Sequence, residues 1–162
     1  MSRAELTDAD LAGDDLAEAN LTGARLIGAN FTGAYLAFTD FSSANLTGAN
    51  LHGAHLPNAN LSRAHLLGAN FHNAYLHHTS LVGADLTDAN LYGADLTEAN
   101  LHGAKLTNAN LTKVRWSLAT RWPTSALHRE ILARSAEVKP GVFEVQADEA
   151  RDHDESPGPI LV

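Results

Sequence analysis

The chain has 162 residues, a 44% hydrophobic share that is only 6% aromatic, and a formal net charge of −8; this length suits one domain with a real core. Its acidity argues against nucleic acid as a direct partner, since phosphate binding needs clustered Lys and Arg, and the lack of Cys excludes disulfides and thiolate metal sites. The first residues have no apolar core of a secretory signal, and no stretch approaches the roughly 18 apolar residues of a membrane span, so we expect a cytoplasmic protein without a membrane partner.

A repeat of five residues dominates the chain. Leu or Phe stands at every fifth position from Leu6 to Leu111, Trp116 continues the phase, and Ala lies two residues before nearly every one of these centres. Five residues advance about 140° around an α-helix, which would scatter the centres over all faces. In a flat strand, an odd period would place successive centres on opposite faces of the sheet. A chain that bends once per repeat keeps every centre inside, so the pattern predicts an all-β solenoid.

The number of sides follows from a longer period. The segment FTGAYLAFTD at 31–40 returns as FHNAYLHHTS at 71–80, 40 residues later, and Asn or Asp precedes the centre most regularly at every second repeat. Both observations favour an even number of repeats per turn. We therefore expect four sides, 20 residues per coil, about five and a half coils and strands stacked roughly 4.8 Å apart.

The motif Ala-(Asn/Asp)-Leu-x-x, as in ADLTDANLYGADLTEANLHGAKL at 84–106, resembles the pentapeptide repeat proteins. The TRWP step at 120–123 is similar to the way many bacterial members end their repeats. This resemblance implies a right-handed quadrilateral β-helix. It also implies one possible partner class, because the best understood members bind DNA gyrase or topoisomerase IV as acidic, dimeric DNA mimics and so give resistance to quinolones or similar toxins.

One side of the expected solenoid carries aromatic and His residues at outward positions. We consider two interpretations of this side. It is a binding site for a protein partner, or it is a ladder of like side chains that stack from coil to coil and stabilise the rod. The candidate residues for a protein-binding face are Tyr35, Phe38, His55, Tyr75, His77 and His78.

Three inward positions depart from Ala, at Asp14, Thr39 and Thr79. We expect Asp14 to reach water at a frayed first coil, since a buried unpaired carboxylate is costly, and the two Thr residues to play a structural role with a hydroxyl to satisfy.

Chemistry-bearing motifs are missing from the sequence. His52 and His72 lie one expected coil apart, but the nine His residues show no metal-ligand spacing. No nucleophile motif or phosphate loop is present. We therefore expect no enzyme activity, no catalytic residue, no cofactor and no metal.

The five-residue period is lost after Trp116, and Pro123 cannot donate a ladder hydrogen bond. Thr124 or Ser125 is a helix cap, and the pattern predicts a helix to about Glu137, followed by at most a short strand. Open strand edges need covering, so this segment is either a cap or a dimer contact, as in gyrase-directed relatives, which dimerise through their C-terminal ends. The candidate cap or dimer residues are Trp116, Trp122, Leu127 and Ile131.

Three segments follow from these boundaries. We expect a pentapeptide-repeat β-helix over 1–122, a capping or dimerisation segment over 123–146, and an acidic disordered tail over 147–162. The protein is then a monomer or a homodimer through the C-terminal segment.

Three functions remain open from the sequence. The favoured one is a non-enzymatic rod that binds another protein. The alternative is a DNA mimic for a type II topoisomerase, although residues 1–122 hold 11 acidic and 7 basic residues and hence a net charge of only −4. A third is a structural element that stacks end to end, which a C-terminal cap would oppose.

Overall fold

The computed structural model describes residues 4–147 of the 162 residues. Parallel β-bridges join residues 20 positions apart along the repeats, from Glu5↔Arg25 to Asp95↔Arg115. Each repeat is thus paired with the fourth repeat after it. The chain turns a corner every five residues and forms a four-sided solenoid.

A single repeat shows how the corner is built. Leu46 donates its backbone N–H to His65 O in the next coil at 2.8 Å, and Ala49 donates its N–H back to Leu46 O at 3.0 Å. The second bond closes a β-turn whose third residue, Gly48, has φ of 65°. A positive φ at this place is the reason Gly is so common there.

The residue before each centre forms ladders outside the core. Asn70 Nδ2 donates to Asn50 Oδ1 at 3.0 Å, and Asn90 Nδ2 donates to Asn70 Oδ1 at 3.2 Å. Asn70 Oδ1 also accepts the N–H of His72 at 3.1 Å, so one oxygen satisfies the turn and the neighbouring coil. Asn suits this role because it is donor and acceptor at once. The ladder explains why Asn recurs on alternate sides.

The solenoid interior is filled by the repeat centres and the Ala residues two positions before them. From Ala24 onwards almost all of these side chains are buried, whereas Leu6, Leu11, Leu16 and Leu21 in the first coil are only partly buried. Asp14 lies in the same coil and is exposed, as expected.

The inward Thr residues satisfy their hydroxyls within the core. Thr39 Oγ1 donates to Leu16 O at 2.8 Å, and Thr79 Oγ1 donates to Leu56 O at 2.7 Å. Thr120 repeats this contact with Leu96 O at 2.9 Å. Thr120 lies one residue later than the five-residue period predicts. The last bridge, Asn100↔Arg121, shows the same extra residue, since it spans 21 residues where the others span 20.

The C-terminal segment extends one side of the solenoid. Strand β1 (Arg115–Ser117) is followed by helix α1 (Ser125–Ala133), strand β2 (Ser135–Lys139) and strand β3 (Val142–Val145). The sheet order is β1-β3-β2, and both pairings are antiparallel. The two added strands form a hairpin closed at Pro140 and Gly141, and they cover the edge that β1 would expose.

The expected helix end at about Glu137 is wrong. Thr124 Oγ1 accepts the N–H of Leu127 and caps α1 as expected, but the helix ends at Ala133. Ser135 Oγ donates to Ile131 O at 2.7 Å and accepts from Trp116 Nε1 at 3.0 Å, which fixes the chain as it leaves the helix. Glu137 lies in β2, because pairing with β3 outweighs the helical pattern.

The four candidate cap or dimer residues are all buried inside this one chain. Trp116 stacks on Phe143 with ring centroids 5.0 Å apart and contacts Trp122 edge-on at 5.9 Å. Leu127 and Ile131 are the buried residues of α1. These contacts pack the C-terminal segment against the last coil.

None of the helices within residues 4–147 is long and apolar enough to span a bilayer. The acidic tail expected over 147–162 lies outside the described residues, except for Ala147.

Candidate functional site

One side of the solenoid gathers the candidate binding residues, and we call it the aromatic face. On this face, residues 20 positions apart lie above one another in two columns. The strand column contains the bridged residues, and the corner column contains the turn residues three positions later. The strand column consists of Asp15, Tyr35, His55, Tyr75, Asp95 and Arg115, and the corner column of Glu18, Phe38, Asn58, His78, Glu98 and Leu118. The face also includes His77, which lies in the turn between these two columns, directly before His78.

The middle of the strand column is a stack of three rings. The Tyr35 and His55 centroids are 5.2 Å apart with ring planes 22° from parallel, and His55 and Tyr75 are 4.6 Å apart at 17°. Such stacking is what the ladder interpretation predicts for these residues. It leaves room for the binding interpretation, since Tyr35 is 55% and Tyr75 is 41% exposed.

Phe38 is an exposed aromatic residue in the corner column of the aromatic face. It is 61% exposed, and its backbone has φ of 57°, the left-handed region. Asn58 holds the same place one coil later. A bulky side chain costs about 1–2 kcal/mol in this conformation, and Asn is among the residues that tolerate it. A strained and exposed aromatic side chain that fills no core space is typical of a functional position.

The adjacent His residues point in different directions, as their neighbouring positions imply. His78 Nδ1 lies 3.4 Å from Glu98 Oε2, and the His77 and His78 rings meet edge-on at 5.9 Å. Within residues 4–147, no three His, Cys, Asp or Glu side chains are arranged to hold a metal ion. Their arrangement suits hydrogen bonding at a surface.

A second ring column lies on the preceding side, where Tyr92 continues the pair of His52 and His72 that was predicted to lie one coil apart. His52 and His72 have centroids 5.0 Å apart, His72 and Tyr92 are 5.2 Å apart, and Lys113 Nζ lies 5.4 Å from the Tyr92 centroid. The signal was available, because 52, 72 and 92 differ by one coil of 20 residues. These side chains are half-buried against one another, so this column is less accessible than the aromatic face.

Several acidic side chains are held by hydrogen bonds or an ion pair within the rod. Lys105 Nζ lies 3.2 Å from Asp85 Oδ2, and the pKa of Asp85 is lowered first by the Thr87 hydroxyl and then by Lys105. Burial alone would raise the pKa of Asp40, but hydrogen bonds from Ser42, Thr22 and Asn60 together leave it below its ordinary value. These carboxylates support the structure, so they are poorly placed to imitate a row of free phosphates.

The five-residue repeat, the 20-residue pairing and the inward Leu and Ala ladders together identify the fold. The family model described as pentapeptide repeats matches residues 15–53, 44–81 and 74–112. This chain belongs to the pentapeptide repeat family. The solved pentapeptide repeat proteins are right-handed quadrilateral β-helices, in agreement with the sequence-based expectation.

Solved pentapeptide repeat proteins resemble this chain to different degrees. HetL, involved in heterocyst differentiation regulation in the cyanobacterium Nostoc sp. strain PCC 7120, is 44% identical with a TM-score of 0.68. The match covers 70% of this chain and 50% of HetL, so this pentapeptide repeat chain spans about half of HetL's length.

Two further matches are more distant. Rfr23 from the cyanobacterium Cyanothece 51142 is 34% identical with a TM-score of 0.43, over 60% of this chain and 63% of Rfr23. Trypsin-treated QnrB1, a plasmid-mediated fluoroquinolone resistance protein, is 25% identical with a TM-score of 0.39, over 62% of this chain and 54% of QnrB1. Such TM-scores support no argument about function. No curated protein sequence matches this chain significantly.

Proposed function

We propose that this pentapeptide repeat protein is a non-enzymatic rod of about five and a half coils that binds another protein through its aromatic face. Phe38 is the observation that carries the proposal. Its left-handed backbone is unfavourable for a large side chain, and 61% of that side chain is exposed to water. The rod gains little from this residue, whereas a partner surface gains an apolar anchor.

The interior of the rod supports the same conclusion. Leu and Ala side chains from Ala24 to Leu111 fill it almost without solvent exposure. The inward positions are therefore occupied by the core. Only the outward residues of the strands and the residues at the corners can contact a ligand. On such surfaces, exposed aromatic side chains are the residues most often found at the energetic centre of protein interfaces.

Partner capture tests this proposal. The triple variant Tyr35→Ser, Tyr75→Ser and His77→Ser removes rings of the aromatic face while leaving every inward residue in place. We expect it to fold and to lose the protein captured by the unaltered chain, as read by mass spectrometry. The matched control is the triple variant His52→Ser, His72→Ser and Tyr92→Ser on the neighbouring ring column, which should retain capture. Equal capture by both variants would remove the aromatic face from the proposal.

The alternative function is a DNA mimic that binds DNA gyrase or topoisomerase IV. Its support is the acidic net charge and the family resemblance. The charge distribution opposes it, since residues 1–122 carry a net charge of only −4 and Asp40 is the only acidic residue between Glu18 and Asp85. An assay of gyrase supercoiling at micromolar protein decides: inhibition or protection from quinolone would favour the mimic, and no effect would exclude it.

The oligomeric state is a separate part of the proposal. We propose a capped rod over 1–122 and 123–146, located in the cytoplasm, in which Trp116, Trp122, Leu127 and Ile131 serve the cap. Their burial within one chain supports this role.

If the rod is a homodimer, the exposed apolar residues of the same end, Leu118, Leu132 and Val138, are the better candidates for the contact. Sedimentation would detect such a dimer. Assemblies larger than a dimer would instead support a structural element that stacks end to end.

A further inference from the structure

The aromatic face is nearly symmetric about His55. A Tyr lies on each side of it, at Tyr35 and Tyr75, and an Asp lies beyond each Tyr, at Asp15 and Asp95. The corner column has the same arrangement, with an acidic residue at each end. Acidic side chains therefore flank the aromatic centre at both ends, and the two ends differ in how their charge is neutralised.

At the C-terminal end other residues of the chain contact both acidic side chains. Arg115 Nη2 lies 3.5 Å from Asp95 Oδ2, and His78 Nδ1 lies 3.4 Å from Glu98 Oε2. The backbone N–H of Glu98 also donates to Ser117 Oγ at 3.3 Å. This end is complete without a partner.

At the N-terminal end no residue between 4 and 147 forms an ion pair with Asp15 or Glu18. Among the described residues, the hydrogen bond that Asp15 Oδ1 accepts comes from the N–H of Ala17, at 3.1 Å. His55 covers one ring face of Tyr35, and the shorter Asp15 side chain lies on the other side. Tyr35 remains 55% exposed although His55 stacks on it.

We infer that this end of the aromatic face binds an arginine side chain of the protein partner. The guanidinium lies between the Asp15 carboxylate and the ring of Tyr35, and an apolar residue of the same partner segment contacts Phe38. This inference rests on the proposed function and names the chemistry of the partner for the same face.

Arginine fits this place better than other ligands. Its planar guanidinium stacks on an aromatic ring and bonds a carboxylate through two N–H groups, which the ammonium of lysine does not do. The chain itself uses Arg115 against Asp95 at the opposite end. A phosphate-bearing ligand would be repelled by Asp15 and Glu18.

A peptide titration tests the inference on the ¹⁵N-labelled full-length protein. The probe is Ac-Leu-Arg-Phe-NH₂, and its control is the same peptide with citrulline, which keeps the shape of arginine and loses the charge. We expect amide shifts centred on Asp15, Tyr35 and Phe38, with binding about tenfold weaker for the citrulline peptide, since loss of a charge-assisted pair is worth about 1.4 kcal/mol. Absence of binding at the solubility limit of the arginine peptide, or equal binding of both, would overturn the inference.

Matched variants separate a specific site from general attraction. Asp15→Asn and Tyr35→Ser should each weaken the arginine peptide about tenfold. Asp8→Asn removes the same charge from the same end of the rod, at a corner of another side, and should leave binding unchanged. A loss in Asp8→Asn as large as that in Asp15→Asn would show non-specific attraction and contradict the inference.

The partner-capture assay distinguishes failure of the inference from failure of the proposed function. If Asp15→Asn retains capture while the Tyr35, Tyr75 and His77 triple variant loses it, the aromatic face is the binding site and arginine recognition is wrong. If the triple variant retains capture, both are wrong. Loss of capture in Asp15→Asn but not in Asp8→Asn supports both.

Discussion

Individual residues depart from the repeat for different reasons in this protein. Thr79 replaces an inward Ala and satisfies its hydroxyl on Leu56 O, so its departure is structural. Asp14 replaces another inward Ala and is exposed in the first coil. Phe38 has no such account, because it is exposed and its backbone conformation is unfavourable. A residue that neither fills the core nor suits its backbone is the kind that selection keeps for contact with something else.

Phe38→Asn provides a prediction at the residue scale. Asn already occupies the equivalent corner position at 58 with φ of 59°, so we expect the free energy of unfolding to stay the same or rise by up to about 1 kcal/mol. Urea unfolding measures this. Partner capture should fall in the same variant. A clear loss of stability would show instead that Phe38 contributes to the rod.

The elements of the rod are held by ladders as much as by the core. Asn side chains bond between coils, Tyr35, His55 and Tyr75 stack, and Asp85 pairs with Lys105 in the next coil. Each ladder adds directional side-chain contacts between coils. The backbone pairing that it reinforces has only one bridge per side in each coil. Such contacts fix the register, since a slip of one residue would break every ladder at once.

The acidic ladder residues give a prediction for pH dependence. The folded pKa of Asp85 is lowered by the Thr87 hydroxyl, the Lys105 side chain and the backbone. A lowered folded pKa means that the carboxylate stabilises the fold above its unfolded pKa, near 3.8, and that this contribution is lost as the pH falls through the lower folded pKa. The same sign applies to Asp40.

We therefore expect urea midpoints to fall as the pH is lowered from about 5 to 3. Asp85→Asn should make this fall shallower, because the titrating group is gone. Thr87→Val should also make it shallower, because the hydroxyl that lowers the pKa is gone while the carboxylate remains. Parallel pH profiles for the unaltered chain and both variants would contradict the assignment.

The whole molecule has two unlike ends. The C-terminal end is closed by α1 and the β2–β3 hairpin, with Trp116 at the centre of an aromatic cluster. The outer edge of the repeat sheet is thereby moved to β2, whose residues are mostly exposed and include Glu137 and Lys139. Charged side chains on an edge strand discourage pairing with another chain. This arrangement supports the proposed cap.

Removal of the cap is the prediction at this scale. A chain that ends at residue 122 lacks α1 and the hairpin, so it exposes Trp116 and the edge of β1. We expect concentration-dependent aggregation by light scattering and size exclusion. A chain that ends at Ala147 keeps the whole described cap and should behave as the full-length protein. A monodisperse, folded 122-residue chain would show that the last coil needs no cover.

Much of this architecture could be predicted from the amino-acid order. The period of five excluded helix and flat strand, and the 40-residue recurrence led to four sides, which the bridges between residues 20 apart support. The positions of Tyr35, His55 and Tyr75 on one side followed from the same arithmetic. His52 and His72 were likewise predicted to lie one coil apart, and only Tyr92, which continues their column, was not predicted.

The solenoid can be read from the amino-acid order alone, because in a repeat each residue's neighbours lie one fixed period away and local pattern becomes tertiary contact. The C-terminal segment, where the period is lost, depends on contacts between distant parts of the chain. There the helix ends at Ala133 because Ser135 bonds Ile131 and Trp116, and Glu137 joins a strand because β3 returns to pair with it. The order of residues encodes a local preference for helix, but pairing with a distant segment outweighs it.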